Sequence, residues 1–110
     1  MICDLGDVVV VPFPFLDIAA EKRRPSVVLS HQAFNESNRH SICAMITTAA
    51  RTNWPSDIAI VDLDAAGLPR SCVVRFKLFT LPNAIILRRA GTLAEQDRGK
   101  VVAAARAIMS

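Results

Sequence analysis

Arg24 opens one apolar run, Pro25-Ser26-Val27-Val28-Leu29-Ser30, and Thr47 closes another, Ile42 to Thr48. An arginine beside a hydroxyl is a pair suited to phosphate. The guanidinium fork bonds two phosphate oxygens at once, and the hydroxyl adds one more donor. Lys22 and Arg23 extend the basic cluster ahead of Arg24, and Thr48 repeats the hydroxyl. Arg51 and Lys77 are further candidates for phosphate contact. Trp54 is a candidate platform for an unpaired base, since single-stranded nucleic acid is gripped on aromatic faces. Each residue also has an ordinary reading: a solvated loop charge, a β-former on a half-exposed strand, a tryptophan capping a core. Phe13 and Phe15 alternate on one face and read as core or dimer contacts.

The elements that must position these groups are short and mostly extended. Residues 7 to 16, rich in Val and Phe, read as a first strand. Val8 to Val11 suggests burial on both faces there, and Pro12 and Pro14, which cannot donate to a ladder, place the far half at an edge or bulge. Residues 17 to 24 read as a polar loop and 26 to 30 as a second strand, with Pro25 biasing Arg24 toward extended geometry. Residues 31 to 40 read as a loop or short helical turn. Strands follow at 42–48, 58–61, 72–81 and 85–87, separated by loops at 49–57 and 64–70. The last element is a helix. Thr92 and Glu95 have the spacing of a capping box, and Asp97 favours the first turn. Ala94, Val101, Ala105 and Ile108 line one face, flanked by Val102 and Met109. The fold class is therefore mainly β with α: a small barrel carrying a C-terminal helix.

Bulk composition excludes several classes. The chain has 110 residues, 52% apolar and 21% charged, with a formal net charge of +3. That describes one globular domain, residues 1–110, rather than a disordered chain. No apolar run reaches the roughly 18 residues of a transmembrane helix, and no signal peptide is visible. The expectation is a cytoplasmic protein with no membrane partner. Cys3, Cys43 and Cys72 are odd in number and scattered, which fits reduced thiols. His31, His40 and Cys43 match no zinc spacing, so no metal is expected. Basic residues cluster at 22–24, among Arg70, Arg75 and Lys77, and at Arg88-Arg89. Such a balance is compatible with a polyanionic partner without requiring one.

Taken in order, Gly6-Asp7-Val8-Val9-Val10-Val11-Pro12-Phe13-Pro14-Phe15, Lys22-Arg23-Arg24-Pro25-Ser26-Val27-Val28-Leu29-Ser30, Ile46-Thr47-Thr48 and Arg75-Phe76-Lys77-Leu78-Phe79-Thr80-Leu81 resemble the MazF/PemK family of toxins from bacterial toxin–antitoxin pairs. The resemblance runs from Gly6 to the end of the C-terminal helix. It implies an SH3-like barrel of the CcdB/MazF type, working as a homodimer and neutralised by a cognate antitoxin. It implies an endoribonuclease that cuts single-stranded RNA without a metal or other cofactor, leaving 2′,3′-cyclic phosphate and 5′-hydroxyl ends. Two residues carry over as catalytic: Arg24, just before the strand-opening proline, and Thr47, after the strand isoleucine. A guanidinium makes a poor general base, so Arg24 is assigned to charge stabilisation. No residue is identified as the base.

The chain departs from the family pattern in places. Relatives tend to read Gln-Ile-Arg-Thr where this chain has Lys77-Leu78-Phe79-Thr80, which bears on cut-site preference. The loop before Arg24 holds Ala19, Ala20 and Glu21 in place of the usual glycines. Two other functions are compatible with the same fold. One is a CcdB-like gyrase poison, which this C-terminus, lacking a tryptophan, argues against. The other is an inactive barrel that binds RNA and antitoxin.

Overall fold

The computed structural model describes residues 1–13, 22–49 and 53–109, with Phe13 described for its backbone only. Six strands form one antiparallel sheet: β1 (Asp7–Phe13), β2 (Lys22–Val28), β3 (His40–Thr48), β4 (Ile58–Ala59), β5 (Cys72–Pro82) and β6 (Arg88–Thr92). Their order is β4-β5-β3-β2-β1-β6. The helices are α1 (Gln32–Asn38), α2 (Leu63–Ala66) and α3 (Glu95–Met109).

The valine run of β1 is buried on both faces, as its composition predicts. Val8, Val9 and Val11 are fully buried. Successive strand residues point to opposite faces, so Val8 joins Val27, Ala44, Ile46 and Val74 in one cluster. Val9 and Val11 join Val28, Cys43 and Leu81 in another. The sheet thus lies between two cores.

Two bulges curl it into a half-barrel. On β5 the register jumps from Met45–Arg75 to Ala44–Leu78, leaving Phe76 and Lys77 as extra residues. On β6 it jumps between Val8–Gly91 and Val9–Arg89. Extra residues bend and twist the strand that carries them. Helix α2 packs against β6, through glycines on both sides. A Cβ at Gly67 would strike the carbonyl of Ala90, and one at Gly91 would strike the backbone of Ala65 and Ala66.

Several boundaries differ from the sequence-based expectation. The first strand is described to Phe13, and residues 14–21 lie outside the described residues. Strand β2 already begins at Lys22, so the three basic residues assigned to a loop sit in a strand. In place of a strand at 85–87, a 3-10 turn occupies Asn83–Ile85 and β6 starts at Arg88. Buried Asn83 explains the shift. Its side chain donates to the carbonyl of Asn35 at 2.7 Å and accepts from Ser41 at 2.7 Å, which anchors the turn. Asn35, also buried, donates to the carbonyls of Cys3 and Ser30 and is bonded to the Ser30 hydroxyl. This polar network ties the N-terminus, α1 and β3 together. Thr92 is the last residue of β6, and its hydroxyl donates to Asp7 at 2.9 Å. It therefore does not act as the expected cap of α3. Asp97 is buried, and its carboxylate accepts from the backbone N–H groups of Val61 and Asp62 at 2.9 to 3.1 Å. Its role is to clamp the β4–α2 turn. The apolar face of α3 buries Val101, whereas Ile108 and Met109 are exposed.

Candidate active site

Register brings Arg24 and Thr47 to one face of the sheet. Ser26 stands opposite Met45 across the β2–β3 ladder. Residues directly opposite share a face, as do residues two apart on a strand. Arg24, two before Ser26, and Thr47, two after Met45, therefore lie on that face. Val28 and Cys43 lie on it too, beneath the second core. Arg24 and Thr47 project beyond that core's edge, where Arg24 is exposed and Thr47 half-buried.

A proline holds the site open. The N–H of Leu29 donates to the carbonyl of Ile42 on β3 at 2.8 Å. Backbone groups on a strand alternate sides, so Val27 and Pro25 also turn their nitrogens toward β3. Pro25 carries no hydrogen there. The β2–β3 ladder runs from Val28 to Ser26 and stops. Beyond that point, among the described residues, β2 pairs only with β1, through Lys22 to Pro25. Strand β3 continues beside β5, with Ile46, Thr47 and Thr48 facing Val74, Val73 and Cys72. The parted strands leave a cleft of about 360 Å³ lined by Lys22, Arg23, Arg24, Pro25, Ile46, Thr47, Thr48 and Cys72. That volume falls toward the lower end of the roughly 300–1,000 Å³ typical of ligand sites.

Among the described residues, the lining holds three cationic side chains and two hydroxyls, and neither carboxylate nor imidazole. Such a donor set suits an anion rather than a divalent cation. Among the described residues, no group of three or more His, Cys, Asp or Glu is placed to hold a metal ion. Burial pushes the Cys72 thiol up, against a smaller downward pull from Arg70, so it is a neutral apolar wall of the cleft.

Five of the eight residues singled out from the sequence therefore meet in one cleft: Lys22, Arg23, Arg24, Thr47 and Thr48. Lys77 and Trp54 do not line it, and Arg51 lies outside the described residues. Lys77 sits exposed in the β5 bulge. Phe79, at the arginine position of relatives, packs against the second core. Trp54 belongs to a separate assembly. Its ring lies 5.4 Å from the guanidinium carbon of Arg75, which forms a two-pronged ion pair with Asp57 at 2.9 and 3.2 Å. The hydrogen bond from Arg75 holds the Asp57 carboxyl below the usual carboxylate range. Arg75 faces Met45 and so shares the face of Arg24 and Thr47. Trp54 is 42% exposed beside it.

Pro25, Ile46 and Cys72 are cleft residues that reading for chemistry passed over. Pro25 carried a signal, a proline between a basic cluster and a valine run. Ile46 and Cys72 carried none, because their place in the cleft depends on the β3–β5 register.

No helix among the described residues is long and apolar enough to cross a membrane. Comparison with curated protein sequences finds no match. Among solved structures, the chain is similar to MazF in a MazE–MazF crystal structure from Deinococcus radiodurans, with TM-score 0.79, 17% identity and coverage of 99% and 97% of the two chains. It is similar to an endoribonuclease in complex with its cognate antitoxin from Mycobacterial species, with TM-score 0.73, 16% identity and coverage of 96% and 91%. It is also similar to the Mycobacterium tuberculosis toxin MazF-mt6, with TM-score 0.69, 21% identity and coverage of 89% and 90%. At these identities the likenesses establish the expected fold, a curled antiparallel sheet with a C-terminal helix. A family model describing the PemK-like, MazF-like toxin of type II toxin–antitoxin systems matches residues 4–109, and the chain belongs to that family.

Proposed function

We propose that the protein is the toxin of a type II pair and acts as a metal-independent endoribonuclease on single-stranded RNA. The observation that carries this reading is the cleft at the β2–β3 parting, where Arg24 and Thr47 line one anion-suited space. In the reaction, the RNA 2′-oxygen attacks the adjoining phosphorus and the bond to the 5′-oxygen breaks. The hydroxyl proton ends on that leaving oxygen, giving a 2′,3′-cyclic phosphate and a 5′-hydroxyl. Negative charge builds on the phosphate oxygens meanwhile. Arg24 stabilises it through a bidentate bond, the kind of electrostatic support that is often the largest catalytic term. Thr47 donates to a phosphate oxygen and orients the attacking hydroxyl. Lys22, Arg23 and Thr48 hold the neighbouring backbone, and Trp54 offers a ring to a base on the same sheet face.

The chain works in the cytoplasm as one domain, residues 1–110, paired as a homodimer. A cognate antitoxin neutralises it by laying an acidic segment across the basic cleft and folding as it binds.

The test is incubation of purified protein with a panel of single-stranded RNAs in EDTA. The expected result is cleavage with cyclic-phosphate ends, lowered by about 10²–10³ in kcat in Arg24→Ala and reduced in Thr47→Ala. Folded wild-type protein that leaves every RNA intact would overturn the nuclease reading. RNA binding without cleavage would favour the inactive barrel.

A further inference from the structure

A second cavity, of about 270 Å³, adjoins the first. Arg23 and Pro25 line both. Its position follows from register. Val10 faces Pro25 on β2 and Arg88 on β6, so these three side chains form one row across the sheet. Arg23, two before Pro25, lies on the same face. Arg24 must then point to the other face, because adjacent strand residues do. The consecutive arginines straddle β2: Arg24 lines the first cavity alone, and Arg23 lines both. They do so along the stretch from Lys22 to Pro25, where β2 has lost β3 as a neighbour. Arg23 and Pro25 therefore form the wall common to the two cavities.

The second cavity has the composition of a nucleotide subsite. Val10, Leu68 and Pro69 supply apolar surface, and Arg23 and Arg88 supply two exposed guanidinium groups. Apolar surface takes the face of a base or ribose, and guanidinium binds phosphate. Among the described residues, neither carboxylate nor imidazole lines it.

We infer that this cavity binds the nucleotide next to the cleaved linkage, with the RNA strand passing from the cleft across Arg23 and Pro25. Arg24 then takes the scissile phosphate, and Arg23 and Arg88 take its neighbour. The inference rests on the proposed ribonuclease function for the identity of its ligand. It adds Arg88, which lies outside the cleft, and the apolar surface of Val10, Leu68 and Pro69 as a determinant of which flanking base is accepted.

Equilibrium binding tests the subsite apart from catalysis. The probe is a fluorescent hexanucleotide RNA with 2′-O-methyl groups, which cannot be cut by 2′-oxygen attack. Its anisotropy is titrated with the wild type, Arg88→Ala and Arg88→Lys between 50 and 200 mM salt. Loss of one phosphate contact lowers the log–log salt slope by about 0.7 and raises Kd roughly three- to tenfold. Arg88→Lys keeps the charge and should retain most of the slope. Melting curves matching the wild type would establish that the variants are folded. An unchanged Kd and slope in folded Arg88→Ala would overturn the subsite. So would folded wild-type protein that binds no hexanucleotide at 50 mM salt. A salt-slope change together with failure of the EDTA cleavage assay would retain the subsite and remove only the nuclease reading.

Discussion

At the residue scale, the identity of the cation at position 24 matters as much as its charge. A lysine keeps the charge but offers a point ammonium in place of a planar fork. If Arg24 stabilises the transition state through two parallel bonds, Arg24→Lys should lose more than tenfold in single-turnover cleavage while RNA affinity changes less than threefold, an order-of-magnitude expectation for a lost transition-state contact. Equal rates would show that charge alone suffices there. Arg75 is the contrasting arginine. It is committed to Asp57 and lies against Trp54, so its first effect is to set the position of the tryptophan. The sequence presented both as members of basic clusters, and only their partners separate them.

At the element scale, the cleft is a property of strand pairing. Strands β2 and β3 part at the first backbone nitrogen that cannot donate across the gap, that of Pro25. Pro12 follows the same rule on β1. The carbonyl of Val10 accepts from Leu87 on the β6 side, so the Pro12 nitrogen also points that way, past the last β1–β6 pair. The expectation that the Pro12 half of β1 lies at an edge was legible because a missing N–H has one consequence in any sheet. Pro25→Val restores a donor facing β3. The expected outcome is a ladder longer by one bond, a narrower cleft and at least tenfold slower cleavage, with stability changed by about 1 kcal/mol or less. Hydrogen exchange at the new amide measures the bond directly. Rapid exchange with wild-type activity would remove Pro25 as the wedge.

At the scale of the whole molecule, the two cores contain three free thiols, Cys3, Cys43 and Cys72, all buried. Burial raises each, and pushes Cys43 from 9.0 up to about 12. The unfolded chain ionises these thiols first, so it binds fewer protons than the folded chain above pH 9, and stability falls as pH rises. For Cys43 the loss is about 1.4 kcal/mol per pH unit between its unfolded and folded values. Melting at pH 8 and pH 10.5 should show a marked drop in the wild type and a smaller one in Cys43→Ala. Equal drops would place the alkaline sensitivity elsewhere.

Local chemistry alone determined much of this protein. The valine run required burial on two faces, and the strand-rich pattern with a terminal helix required a small curled sheet. These are legible because burial and strand period act over a few neighbouring residues. Tertiary structure decided the rest. Asn83 binds groups contributed by Asn35 and Ser41, which converts a predicted strand into a turn and moves β6 to Arg88. Thr92 turns to Asp7 rather than capping a helix. Cys72 joins the cleft, and Arg88 joins Arg23 across β1. Each of these outcomes depends on which distant strand pairs with which and in what register, and a one-residue slip reverses the face of every side chain. The phosphate-suited pair could be named from residue types, but its cleft required the point at which two strands separate.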